Sequence, residues 1–182
     1  MKKFELTTEF ITNFLGTKLF RIKALVEFGK VEKGELGGFV EKEENLDHDG
    51  DAWVSGDAMV YGNARVSGNA EVYGDAEVYG NARVYGDAMV YGNARVSGDA
   101  WVSGDQMYAA VKGFGSEYRN TTFFITKDGN VCVNCGCFSG TLEQFREKVE
   151  ETHKDTKYAK EYLMIADLME MHFKEELEKI KK

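Results

Sequence analysis

Three cysteines lie close together, Cys132, Cys135 and Cys137, and His153 follows them. Thiolates and an imidazole at such short range could form a zinc site, since structural zinc takes Cys₃His sets with closely spaced cysteine pairs. The cysteines sit in Val131-Cys-Val-Asn-Cys135, which reads as a strand. Cys132 and Cys135 are three apart and so face opposite sides of it. That favours core thiols over ligands, and no metal is expected. The second candidate is His48, in Asn45-Leu-Asp-His-Asp49. A carboxylate beside an imidazole can orient it as a proton acceptor. Here His48 is expected to be an exposed loop residue, and His172 a surface residue of the last helix. No Gly-rich loop leads from a strand into a helix, no Ser-His-Asp set can be placed, and no cofactor is expected.

The elements that position these side chains are organised by a repeat. From Gly50 to Ser103 the chain reads Gly-(Asp/Asn)-Ala-x-Val-(Ser/Tyr) nine times without a gap, and Gly104-Asp105 opens a tenth unit that fails. Within each unit Ala and Val alternate with variable residues, a strand period of two. Gly and Asp/Asn then supply a corner, because both tolerate the backbone angles of a sharp turn. One short strand and one corner cannot bury a valine alone, so the units must stack.

Taken from the valine, each unit is aliphatic, any, Gly, Asp/Asn, small, any. This resembles the bacterial transferase hexapeptide repeat. The resemblance implies a mainly β fold, a left-handed parallel β-helix with three hexapeptides per coil and about four coils, the first of them degenerate. That family includes coenzyme A-dependent acyltransferases, which use a histidine near a subunit interface and often a loop extruded from a coil. The nine units here hold no histidine and no insertion. Residues 1–105, with Leu19-Phe-Arg-Ile-Lys-Ala-Leu25 and Gly34-Glu-Leu-Gly-Gly-Phe-Val-Glu41 ahead of the repeats, also resemble small proteins of phages and prophages. This second resemblance implies a mobile-element origin rather than an activity. Gly136-Cys-Phe-Ser-Gly-Thr-Leu-Glu-Gln-Phe145 resembles a C-terminal module of the same proteins.

Three units per coil sort the outward residues into columns. One face stacks Trp53, Glu71 and Met89, the second Met59, Glu77 and Arg95, the third Arg65, Arg83 and Trp101. The other outward position gives Ser55-Tyr73-Tyr91, Tyr61-Tyr79-Ser97 and Ser67-Tyr85-Ser103. The tyrosines stiffen the sheet as ladders or offer an aromatic platform, since Tyr and Trp are favoured interface anchors. Candidate partner-binding residues are therefore Tyr61, Tyr79, Tyr73, Tyr91, Tyr85, Glu71, Glu77, Trp53 and Trp101. The thin Val/Ala filling and the open coil ends require capping segments.

Residues 1–31 are read as an N-terminal cap, 32–105 as the β-helix and 106–182 as a small α+β domain. Residues 7–15 are expected to form a short helix or loop, and Lys18–Val26 a strand. Phe39-Val40 mimics Trp53-Val54 at a distance that is no multiple of six, which predicts a register slip around Glu41–Glu44. In the C-terminal part, Tyr108–Phe114, Thr121–Thr126 and Val131–Cys135 read as strands, with Asp128-Gly129 as a tight turn. Thr141 with Gln144 makes a capping box ahead of a helix whose apolar face is Leu142, Phe145 and Val149. A second helix is expected from Lys157 to Lys182, its stripe being Tyr158, Tyr162, Ile165, Leu168, Met169 and Phe173.

The net charge is −8, and the repeats through Asp105 carry three arginines against six aspartates and two glutamates. Such a surface repels nucleic acid and suits a basic protein surface. The expected partner is a host protein, with a possible homo-oligomer and no direct nucleic-acid binding. The absence of a long apolar run excludes a membrane span, and the chain is expected in the host cytoplasm. These features favour a non-catalytic binding protein, possible targets including bacterial immunity proteins. An acyltransferase and a virion structural protein are the alternatives.

Overall fold

A computed structural model of the chain describes residues 1–180. It divides into two compact units, Met1–Asp105 and Gln106–Lys182. The first is a β-solenoid. After β1 (Phe4–Thr12), β2 (Lys18–Ala24) and β3 (Leu36–Val40) come nine two-residue strands, β4 to β12. They are Trp53–Val54, Met59–Val60, Arg65–Val66, Glu71–Val72, Glu77–Val78, Arg83–Val84, Met89–Val90, Arg95–Val96 and Trp101–Val102. Strands one coil apart pair in parallel, so Val54, Val72 and Val90 stand in one column, fully buried. Ala52 through Ala94 at the matching position are buried as well. Three walls result, with strand orders β4-β7-β10, β6-β9-β12 and β1-β2-β3-β5-β8-β11.

The corners explain the glycine and the Asp/Asn. Gly50 has φ +69, and a Cβ there would stand 2.4 Å from the Gly68 carbonyl oxygen. The Asp/Asn side chains form external ladders in which an amide donates to the acid or amide of the adjacent coil: Asn69 to Asp87 at 2.9 Å, Asn81 to Asp99 at 3.1 Å, and Asn63 to Asn81 at 3.2 Å. Alternating Asn with Asp converts part of a like-charge column into hydrogen bonds.

The ladder has a direction. Each backbone N–H donates to a carbonyl of the following coil, as Trp53 does to Ala70 at 3.0 Å and Ser55 to Val72 at 2.8 Å. The lower end is therefore left with bare carbonyls, and residues 1–47 bring donors to them. The backbones of Phe39, Glu41 and Asp47 donate to Ala58, Val60 and Val66. Asn45, fully buried, gives both protons of its side-chain amide, to Gly62 at 3.2 Å and to Ala64 at 2.8 Å. The Lys3 ammonium reaches the Gly50 and Ala52 carbonyls at 3.2 and 2.9 Å and lies over the Phe28 ring. Burial pushes its pKa below the usual lysine value, against the pull of Asp47, Asp51 and Asp49.

Two expectations for this unit need correction. Residues 7–15 begin as strand, because Phe4–Thr12 pairs antiparallel with β2, and an Asn13–Gly16 turn closes the hairpin. Adjacent Phe10 and Ile11, on opposite faces, hide the alternation. The register slip is not at Glu41–Glu44. Val40 pairs with Val60 and Leu46 bridges Val66, so Val40 to Leu46 keeps the regular step. The two extra residues fall between Leu46 and Val54, in the loop that carries His48.

The second unit is a four-stranded antiparallel meander with two helices. β13 (Tyr108–Val111), β14 (Thr121–Ile125), β15 (Val131–Cys135) and β16 (Phe138–Thr141) pair in sequence order. β16 was not expected. It pairs Phe138 with Cys135 and Thr141 with Cys132. α1 (Leu142–His153) starts at the Thr141–Gln144 capping box, with both hydrogen bonds made. α2 spans Lys157–Ile180, and its expected continuation through Lys182 lies outside the described residues. Tyr162, Ile165, Met169 and Phe173 are buried, while Leu168 is exposed, because it lies beside, not on, that i,i+4 seam. Arg146 ties the helices together by ion pairs to Asp167 and Glu170. Among the described residues no helix is long and apolar enough to cross a membrane.

Candidate functional site

The chemistry-bearing residues of the second unit do not converge. Cys132 and Cys135 are half-buried and Cys137 is exposed. Cys135 takes a hydrogen bond from Thr121 Oγ1 at 3.2 Å and lies 3.8 Å from the Tyr162 hydroxyl. His153 packs against the rings of Tyr158 and Tyr162. Among the described residues no three His, Cys, Asp or Glu side chains are grouped to hold a metal ion. Burial, then the neighbouring Cys135, raises the Tyr162 phenol above its ordinary pKa.

His48 is not the exposed loop residue expected. Its ring stacks on Phe4 at 4.4 Å. Nδ1 accepts the Lys3 backbone N–H at 3.2 Å, which makes Nε2 the protonated nitrogen, donating to Glu43 Oε1 at 2.7 Å. That hydrogen bond first, and Lys2 second, hold the Glu43 carboxyl below its usual pKa. Both ring nitrogens are thus engaged in closing the lower end, and proton abstraction would require breaking one of these contacts.

The nine aromatic and acidic candidates divide by wall. On the wall of β5, β8 and β11 the β1–β2 hairpin lies across the columns. Tyr61 is buried against Leu19 and Phe39, and Ile11 and Tyr79 pack beside it. The Tyr61 hydroxyl donates to Glu77 Oε2 at 3.1 Å, and Glu77, itself buried, pairs with Arg95 at 3.1 Å. Tyr61 and Tyr79 stack at 5.1 Å with nearly parallel rings. Tyr61 and Glu77 are therefore internal ties, not partner contacts. Trp53, on the next wall, is buried too, edge-on to Phe28 at 5.4 Å, and is removed from the contact surface for the same reason.

The upper part of that wall is more exposed. Tyr73 and Tyr91 stack at 5.3 Å, Tyr91 is 51% exposed, and Met89 beside it is 37% exposed. Glu71 lies in the same column, paired with Lys30 at 3.4 Å. The flanking corners carry Asp75 and Asp87. Aromatic and methionine side chains ringed by carboxylates have the composition of an interface core with an acidic rim.

The third wall forms a groove of about 580 Å³. Arg65 and Arg83, in register on adjacent strands, line it with Tyr85 and Trp101, whose rings meet at 6.0 Å. Glu43, Glu44, Asp47 and His48 lie at its lower edge. The sequence placed Arg65 and Arg83 in one column but assigned them nothing. The signal was present: the neighbouring column sets Glu77 beside Arg95, whereas this one sets arginine on arginine.

Three stretches, residues 52–68, 76–90 and 88–104, match the family model described as YdcK Beta solenoid repeat. They take in eight of the nine short strands, β4–β6 and β8–β12, and reach no residue of the second unit. No curated protein matches the chain.

Proposed function

We propose that this chain is a non-catalytic binding protein that engages a basic protein surface through the Tyr73–Tyr91–Met89 patch. The observation that carries this reading is a stacked tyrosine pair whose Tyr91 is half exposed, beside a partly exposed methionine, on a solenoid wall bordered by acidic corners. Aromatic side chains at the centre of a patch supply most of the binding energy of an interface. The acidic rim adds steering and partner choice. The β-solenoid spares the patch the backbone part of the ordering cost on binding, because its rungs are already paired. We read the partner as a host protein, of the bacterial-immunity kind, met by a chain of phage or prophage origin. The acidic charge and the resemblance of residues 1–105 support that finer reading. The engagement of both His48 nitrogens speaks against the acyltransferase alternative.

The test is capture from a bacterial host lysate with wild type and with Tyr91→Ala. A stoichiometric protein with a basic surface, released by salt and lost in the variant, is the expected result. Retention of the same protein by Tyr91→Ala, at equal strength, would overturn the assignment of the patch.

A further inference from the structure

We infer that the groove on the third wall is a site for a small ring-bearing phosphomonoester, held by Arg65 and Arg83 against Tyr85 and Trp101. The starting point is an imbalance of charge pairing. The chain has six arginines. Arg21 pairs with Glu9, Arg95 with Glu77, Arg119 with Glu117, and Arg146 with Asp167 and Glu170. Among the described residues, Arg65 and Arg83 alone of the six have no carboxylate partner. They are also the two that face each other across a parallel ladder. Adjacent strands are about 4.8 Å apart, and like charges directly opposite one another destabilise a sheet. In a chain of net charge −8, rich in surface carboxylates, a paired cation would be the ordinary outcome. Two arginines on adjacent strands of one groove, neither of them ion-paired, leave positive charge there to meet an anion from outside.

The character of the anion follows from what surrounds the pair. Two guanidinium groups match about two negative charges, which a phosphomonoester carries near neutral pH and a single carboxylate does not. Planar guanidinium forks also suit the two-oxygen geometry of a phosphate. Trp101 lies directly above Arg83 in the same column, and Tyr85 meets it at an interplanar angle of 51°. That wedge offers an aromatic face to a planar ring attached to the phosphate. Glu43, Glu44 and Asp47 at the lower edge set the ligand's direction. They repel the phosphate and favour hydroxyl or amine donors on the far side of the ring. A volume of about 580 Å³ is within the range of small-molecule sites. This site is independent of the protein-binding patch, which lies on a different wall.

The test uses the full chain and its tryptophan fluorescence. Trp101 lines the groove, whereas Trp53 is buried beneath Phe28 and serves as a constant background. Phenyl phosphate, the simplest member of the class, should quench the emission saturably with a Kd below ~1 mM. Inorganic phosphate, lacking the ring, and benzoate, lacking the second charge, should each bind at least ~10-fold more weakly. Arg65→Gln/Arg83→Gln should weaken phenyl phosphate at least ~10-fold while its urea midpoint stays level or rises, since a repulsion is removed. Arg83→Lys keeps the charge, so it tests the site even if the double variant fails to fold. It should bind several-fold more weakly through loss of the planar fork. No saturation by ~10 mM, or equal binding by the double variant, would overturn the site. Equal binding of inorganic phosphate would reduce it to an adventitious anion position and overturn the ring-bearing ligand.

Discussion

Asn45 is the residue on which closure of the lower end turns, and its replacement gives a calculable loss. It is fully buried, and its amide donates to two carbonyls, Ala64 at 2.8 Å and Gly62 at 3.2 Å, while Oδ1 accepts the Lys42 N–H at 2.9 Å. Asn45→Ala leaves the Ala64 carbonyl buried without a donor, at ~1–3 kcal/mol. The Gly62 carbonyl and the Lys42 N–H are partly buried and can be reached by water, so each loses only the net worth of a hydrogen bond, ~0.5–1.5 kcal/mol. The total expected is ~2–6 kcal/mol. Asn45→Asp keeps the shape but turns a carboxylate oxygen toward the two carbonyls, and should cost more than alanine near neutral pH. Burial raises the pKa of the introduced carboxyl in the folded state above its unfolded value of ~3.9. The folded protein then holds the proton more tightly, so the deficit of the Asn45→Asp variant shrinks as pH falls below that folded value toward the unfolded one of ~3.9. Urea unfolding followed by tryptophan emission is the assay. Both tryptophans, Trp53 and Trp101, belong to the first unit, so the signal reports that unit alone. An Asn45→Ala protein within ~0.5 kcal/mol of wild type, or an Asn45→Asp protein with no pH-dependent recovery, would refute the role given to this side chain.

Two further outcomes are expected. Gly50 and Gly98 occupy the same corner position of the repeat with φ +69 and +64, yet a Cβ on Gly98 meets nothing within 4 Å and one on Gly50 meets the Gly68 carbonyl oxygen at 2.4 Å. Gly98→Ala should cost the left-handed strain alone, ~1–2 kcal/mol, and Gly50→Ala at least twice that by urea unfolding. Equal losses would show that backbone angle, not coil-to-coil spacing, dominates the corner. Burial, and then Glu77, hold the Tyr61 phenol above its ordinary pKa of 10.0. A raised folded pKa gives stability that is complete below the unfolded value and lost as pH rises past it. The stability advantage of wild type over Tyr61→Phe should thus be constant from pH ~7 to ~10 and shrink above ~10. A difference unchanged at higher pH would argue against a buried, protonated phenol.

The repeat made the inner lining and the outer columns legible, because strand period and coil length are both written in a six-residue unit. It could not say what lies outside a column. Trp53, Tyr61 and Glu77 occupy outward positions, as their spacing required, yet they are buried: Phe28 packs on Trp53, and Leu19 and Phe39 on Tyr61. Except for Phe39, which stands in register one coil below Met59, that cover comes from N-terminal segments whose sequence has no periodic relation to the repeat. The placement of the two extra residues failed for a related reason. Counting from Phe39 to Trp53 reveals the excess but not its position, and Leu46, one regular step beyond Val40, was the overlooked marker. β16 was missed because Phe138-Ser-Gly-Thr141 has no apolar alternation; it is strand by virtue of pairing with β15. Arg65 and Arg83 were visible as a column, and comparing the sign of charge between columns would have found them.

The caps follow from a property that every parallel solenoid shares, the direction of its ladder. N–H groups here point from each coil to the next, so the two ends are chemically different and no one capping segment could serve both. The lower end needs donors, and the chain supplies them from a lysine, an asparagine and three backbone N–H groups. The upper end needs acceptors. Asp105, in the unit where the repeat fails, takes the Met89 N–H on Oδ1 at 3.0 Å, the position where a further coil would have placed a carbonyl. The decay of the repeat at Asp105 is therefore itself a cap: the unit keeps the Gly-Asp corner and turns its carboxylate into the acceptor that the missing strand would have provided. Lys3 and Asp105 are each matched to the end they occupy, which fixes where the solenoid stops as firmly as the valines fix how it stacks.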